Sequence, residues 1–197
     1  MLKESETVDP RIRRTRLLLQ QALQKLLQRK EFDAVSVQDI AEAATVNRAT
    51  FYDHYNDKFA LLECMVGSEF QELLVQREVQ FDATCGSALK AIFLAVCDYL
   101  ARMQTPQCRR ALQPHMEAAI IAVVRRTFLD GLKQHPPTGG VAPEIVAAAV
   151  SWALYGSAKE WVQTESHGPA DAMADTVAAL VAPMLHFNAE STSPPSR

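Results

Sequence analysis

Apolar residues recur along this chain at intervals of three and four, and sustained β-branched alternation is missing. The pattern predicts an all-α protein. A first helix begins after Asp9-Pro10, a cap residue followed by a proline that suits the first helical position, and runs to about Arg29. Leu19, Leu23, Leu26 and Leu27 line its apolar face. A short second helix opens at Ser36, with Asp39 three residues on in a near capping-box pattern; Val37, Ile40, Ala41 and Ala44 keep the helical interval. Thr45, Val46 and Asn47 interrupt it, and a third short helix runs from Arg48 to about Tyr55. Asn56 and Asp57 are suitable caps for a fourth, about 58–79. Further helices are expected at about 87–104, 116–134, 143–163 and 170–187, with a short piece between Pro106 and Pro114. HPPTGGV, 135–141, reads as a loop, and the tail from Glu190 as disordered.

Two short helices joined by a tight turn and preceded by a longer one make a helix-turn-helix unit. At about 100° per residue, Phe51, His54 and Tyr55 gather on one side of the third helix. Arg48, Ala49, Tyr52 and Asp53 take much of the other. That outer side has the chemistry of a major-groove reader: an arginine reaches guanine O6 and N7, a tyrosine reaches phosphate or a thymine methyl. Asn47, Thr50 and the helix N-terminus flank it as phosphate binders. Shape alone also suits an αα-corner in any helical protein.

The segment IAEAATVNRATFYDHYNDKFALL, Ile40 to Leu62, decides between these readings. It resembles the tetracycline-repressor (TetR) family, whose pattern is roughly I-A-x-x-A-G-V-S-x-x-T-F-Y-x-H-F-x-x-K-x-x-L. Ile40, Ala41, Ala44, Val46, Thr50, Phe51, Tyr52, His54, Lys58 and Leu61 match in register, and EFDAVSV (31–37) resembles the lead-in to the second helix. The resemblance covers about Arg14 to Leu62. It departs at Thr45, Glu31, Asn47 and Tyr55, where the family usually has Gly, Gly, Ser and Phe. Thr45 must either accept a left-handed backbone or make a different turn.

The resemblance implies an N-terminal three-helix DNA-binding domain and a C-terminal helical domain for ligand binding and dimerisation. We place these at 9–68 and 69–189, with 190–197 as tail. Arg48, Ala49 and Tyr52 fall at positions that face the major groove. Ser36, Val37, Asn47, Thr50, His54 and Lys58 are the expected phosphate contacts, Tyr52 also standing at such a position. The expected protein is a dimeric, ligand-responsive repressor of a palindromic double-stranded operator. An activator or a ligand-independent regulator of the same fold is the alternative; a helical small-molecule binder without DNA function is the remote one.

Charge supports a DNA-binding end once it is read locally. The net charge is −3, yet seven basic residues and no acidic one lie between Pro10 and Lys30 (Arg11, Arg13, Arg14, Arg16, Lys25, Arg29, Lys30). From Phe59 onward 10 Lys and Arg face 14 Asp and Glu. The longest uncharged stretches, 145–158 and 176–189, are 14 residues each, short of a membrane span. The N-terminus shows no apolar signal region, so a cytoplasmic protein without membrane contact is expected. Cys64, Cys85, Cys97 and Cys108 have no metal-ligand spacing and read as reduced core residues; a redox-sensing thiol is the less favoured reading. No cofactor, metal or enzymatic activity is expected. The pair Tyr155 and Lys159 in Y-x-x-x-K lacks the strand and Gly-rich turn that a dehydrogenase needs.

In the C-terminal half, the small residues Ala147, Ala148, Ala149, Ala153, Gly156, Ser157 and Ala158 permit close helix approach, and Met173, Val177, Leu180, Val181 and Met184 repeat at helical spacing. These two helices are the dimerisation candidates; packing within one chain is the other reading. Phe93, Met103, Met116, Trp152 and Tyr155 are candidates to line an effector pocket, each also serviceable as plain core.

Overall fold

The computed structural model describes residues 9–79, 86–102, 113–136, 141–166 and 168–185. Among these there is no strand. The helices are α1 (Pro10–Leu27), α2 (Val37–Ala43), α3 (Arg48–His54), α4 (Lys58–Gln76), α5 (Gly86–Arg102), α6 (Gln113–Gln134), α7 (Pro143–Gln163) and α8 (Ala170–Leu185), with a 3-10 turn at Phe32–Ala34 between α1 and α2. They form two compact units. Described residues up to Val66, with 113–116, make the first; those between Gly67 and Arg102 and those from Glu117 onward make the second.

In the first unit, α1 packs on α2 and α3, and α2 on α3. Local chemistry sets each start. The Asp9 carboxylate accepts from the Arg11 N–H at 2.8 Å, ahead of Pro10. Ser36 and Asp39 form the full capping box: the Ser36 hydroxyl accepts from the Asp39 N–H at 3.1 Å and the Asp39 carboxylate accepts from the Ser36 N–H at 2.9 Å. Asn47 caps α3 by accepting from the Thr50 N–H at 2.7 Å. Leu19, Leu23, Phe32, Val35, Ile40, Ala41, Ala44, Phe51 and Leu61 are buried. Leu26 and Leu27, expected on the apolar face of α1, are only half-buried, because the helix ends at Leu27.

The second unit is built on α5, which packs against both α7 and α8, themselves in contact. Its core includes Phe70, Leu89, Ile92, Phe93, Val96, Phe128, Val150, Leu154, Tyr155, Val177 and Val181. Fully burying one such side chain stabilises by about 1.5–3 kcal/mol. The buried Cys97 thiol is pushed up to about 12 by burial and the neighbouring Asp98, so it stays neutral. Two expectations shift. α6 starts at Gln113, with Pro114 inside its first turn rather than ahead of it, where its missing N–H costs nothing. α8 ends at Leu185 and carries Pro183 in its last turn. The expected piece between Pro106 and Pro114, most of the 135–141 loop, the tail, Cys85 and Cys108 lie outside the described residues.

Candidate nucleic-acid interface

The turn between α2 and α3 is made by a threonine in the left-handed region. Thr45 has φ 58°. Its N–H donates to the Glu42 carbonyl at 3.0 Å and the Val46 N–H reaches back to Ala41 at 3.0 Å. These are the two bonds of a Schellman ending, with Thr45 in the place that glycine usually fills. The chain thus keeps the ordinary turn and accepts the strain. α4 ends the same way at Glu78, φ 53°.

The turn lets α3 bury one side and present the other. Phe51 is fully buried, edge-on to Tyr52 at 5.4 Å and tilted against Tyr55 at 6.0 Å. Tyr55 is buried too; its hydroxyl donates to Cys64 Sγ at 3.5 Å, and Gln20 Nε2 donates to the same sulfur at 3.3 Å. Burial, then the contact with Cys64, pushes the Tyr55 phenol up from its ordinary value. Gln20 and Cys64, absent from the sequence-based site, therefore hold the end of α3. Only their places on helical faces signalled it.

Arg48, Ala49 and Tyr52 are exposed, Tyr52 at 46%. Arg48 Nη2 donates to Tyr52 Oη at 3.2 Å, with the guanidinium 5.6 Å from the ring centre. Arg48 and Tyr52 are one turn apart, and the bond holds the guanidinium over the outer face. Asn47 is exposed, its carbonyl oxygen used in the cap and its amide N–H groups left for another acceptor. Thr50 and His54 are half-buried on the flanks. Ser36 is exposed with its hydroxyl in the capping box, and Val37 is half-buried behind it. Of the seven basic residues between Pro10 and Lys30, only Lys30 is in an ion pair among the described residues, with Asp39 at 3.0 Å.

Lys58, the remaining expected phosphate contact, has its ammonium engaged by backbone carbonyls: it donates to those of Phe32 at 2.9 Å, Asp33 at 3.2 Å and Val35 at 2.9 Å. It also lies 4.6 Å from the Phe32 ring centre and 5.7 Å from that of Phe59. Nearby, His115 stacks on Phe59 at 4.5 Å and its Nδ1 is 2.8 Å from a Glu63 carboxylate oxygen.

The pocket candidates are scattered. Phe93 and Tyr155 are buried in the second unit, Met116 is buried in the first, and Met103 lies outside the described residues. Trp152 is 57% exposed and does not join the core: its helix turns it outward with Ile145, seven residues before it. A groove of about 150 Å³ beside Trp161, Pro169, Ala172 and Met173 is smaller than a drug-sized ligand needs and includes none of them. The Y-x-x-x-K pair serves packing: Lys159 Nζ pairs with Glu117 at 2.9 Å, with Tyr155 buried beside them. Among the described residues no group of three or more His, Cys, Asp or Glu is placed to hold a metal, and no helix is long and apolar enough to cross a membrane.

Two short helices across a left-handed turn, the second anchored by aromatics and showing a cation and a phenol outward, define a helix-turn-helix domain. Residues 19–65 match the family described as bacterial regulatory proteins, tetR family. This N-terminal domain is thus similar to the DNA-binding domain of the TetR family, as the pattern from Ile40 to Leu62 implies. A relative from Bacillus subtilis, an uncharacterized HTH-type transcriptional regulator named YxbF, is 34% identical over 73 residues; the match covers 36% of this chain and only 19% of that protein. The fold is shared with solved structures. Lin0861 from Listeria innocua (TM-score 0.58, 19% identity) covers 90% of this chain and 94% of its own. A TetR-family regulator from Streptomyces coelicolor (0.54, 18%) covers 92% and 99%. Thermus thermophilus FadR, a TetR-family repressor solved with lauroyl-CoA (0.53, 18%), covers 92% and 98%.

Proposed function

We propose that this chain is a dimeric DNA-binding transcriptional regulator, a repressor that reads a palindromic operator and answers to a small-molecule effector. The observation that carries the reading is the outer face of α3, where Arg48, held by Tyr52, stands beside the small Ala49. A bidentate arginine reads guanine, and a small side chain leaves room for a thymine methyl. Ser36, Val37, Asn47, Thr50 and His54 flank this face as backbone contacts. The unpaired cations of α1 supply local attraction for phosphate despite the net charge of −3.

Dimerisation is supported by an apolar stripe on the second unit. Ile145, Ala149, Trp152 and Gly156, at intervals of four, three and four, are all exposed along α7. Leu180 at 69% and Met184 at 40% are exposed on α8. A second copy would cover both, and two-fold symmetry would present two α3 helices to a palindrome. For the effector, the support is the shared fold: Thermus thermophilus FadR was solved with lauroyl-CoA and RolR with resorcinol. Footprinting of the purified chain on DNA upstream of neighbouring genes, at low salt, tests the reading. A protected palindrome is expected, and its absence from every such region overturns the function.

A further inference from the structure

The ammonium of Lys58 is committed to backbone carbonyls. Lys58 is the first residue of α4, at the partly positive end of a helix, where a cation is disfavoured. Its side chain turns away from that end and places three donors on three carbonyls at 2.9, 3.2 and 2.9 Å, the full complement of an ammonium. The acceptors are oxygens around the 3-10 turn Phe32–Ala34; that of Phe32 also accepts from the Val35 N–H at 3.0 Å, so the ammonium adds a second bond there. Phe32 and Phe59, edge-on to each other at 5.3 Å, form the sides of the cup.

The position in the chain gives this cup its meaning. Val35 immediately precedes Ser36, the cap of α2; Lys58 immediately follows Asp57, whose carboxylate accepts from the Ala60 N–H at 2.8 Å at the start of α4. The helix-turn-helix, 36–57, therefore leaves from and returns to one point. We propose that Lys58 is a positioning residue that closes the helix-turn-helix into a fixed frame, tying the strand-like entry at Val35 to the start of α4, and that it is not a phosphate ligand. The frame holds the Ser36 cap, hence α2, at a set place against α3, so Lys58 acts on DNA reading through geometry. This rests on the proposed DNA-binding function only for its consequence; the cup itself belongs to the free protein.

The first test uses the unaltered full chain. Limited reductive dimethylation of the native protein, followed by peptide mass spectrometry, compares Lys58 with the exposed Lys25 and Lys133. Lys58 is expected to lag behind both in the absence of DNA and to gain no further protection when a random-sequence duplex is added at low salt. Reactivity equal to that of Lys25 in the free chain, or protection that appears or deepens with DNA, overturns the proposal. Failure of the chain to bind DNA leaves the DNA-free comparison intact, so the two readings fail separately. K58M and K58R provide the second arm. Methionine keeps the stem between the rings without donors, and arginine keeps the charge in a planar fork that cannot serve three converging carbonyls. Both are expected to speed amide exchange over 34–40, to lower the preference for a footprinted site over the random duplex, and to leave the salt slope on that duplex unchanged. A phosphate ligand predicts the reverse: K58M lowers the slope by about 1 and K58R restores it.

Discussion

Thr45 shows what a single backbone torsion costs. An L-residue in the left-handed region is strained by about 1–2 kcal/mol, and a β-branched one has little means of relief. Glycine would relieve that strain but would also loosen the unfolded chain, which offsets about 0.4–1 kcal/mol. Thr45→Gly should therefore stabilise the protein by up to about 1 kcal/mol, seen as a higher urea midpoint at unchanged m. Asp39 makes a second residue-level prediction. The Ser36 backbone N–H, then the Ser36 hydroxyl and Lys30, hold its carboxyl well below the usual carboxylate range. A group lowered in the folded state lends its stability above its ordinary value of 3.8 and loses it as pH falls through its folded value. Amide protection at the start of α2 should fall in acid for the natural chain, and Asp39→Asn should be weaker at neutral pH and flat through that range. The capping box at Ser36 and Asp39 was legible in the sequence because it is local: a side chain bonding a backbone N–H three residues on needs no tertiary partner.

The elements divide by how far their determinants reach. α2 and α3 were read closely, since cap, apolar interval and turn all lie within the segment. The 3-10 turn at Phe32–Ala34 was not read, although Phe32 and Val35 are both buried. Three residues carry no period, and the turn is held by Lys58, more than twenty positions away. The same distance hid the true place of Lys58 itself: sequence shows a cation in a DNA-binding motif, and only folding shows what its donors meet. For α3, Phe51 and Tyr55 went inward and Arg48, Ala49, Tyr52 and Asp53 outward as the 3.6-residue period required, while His54, expected inward, is only half-buried. Arg48→Ala should remove about 1–3 kcal/mol of base discrimination and much less affinity for random DNA. Competition binding on specific and random duplexes measures both, and equal losses would count against base reading by Arg48.

At the scale of the whole molecule, the repeats on α7 and α8 were visible as one apolar pattern, but the structure splits it. Ala147, Ala158, Val177 and Val181 enter the core of the second unit, while Ile145, Trp152, Leu180 and Met184 remain outside. The outer set favours a second copy as partner. Trp152→Glu and Leu180→Glu should each shift the chain toward monomer in sedimentation while leaving helicity unchanged, whereas Val177→Glu, inside the core, should cost the fold itself. Sequence alone determined that the protein is helical, that 40–62 is a TetR-type helix-turn-helix, and which side of α3 is outward, because these follow from periods and caps acting over a few residues. Tertiary structure decided that Thr45 keeps the left-handed turn, that Lys58 closes the frame of the motif, and that Trp152 faces out, because each depends on which distant backbone or side chain folding brings within reach.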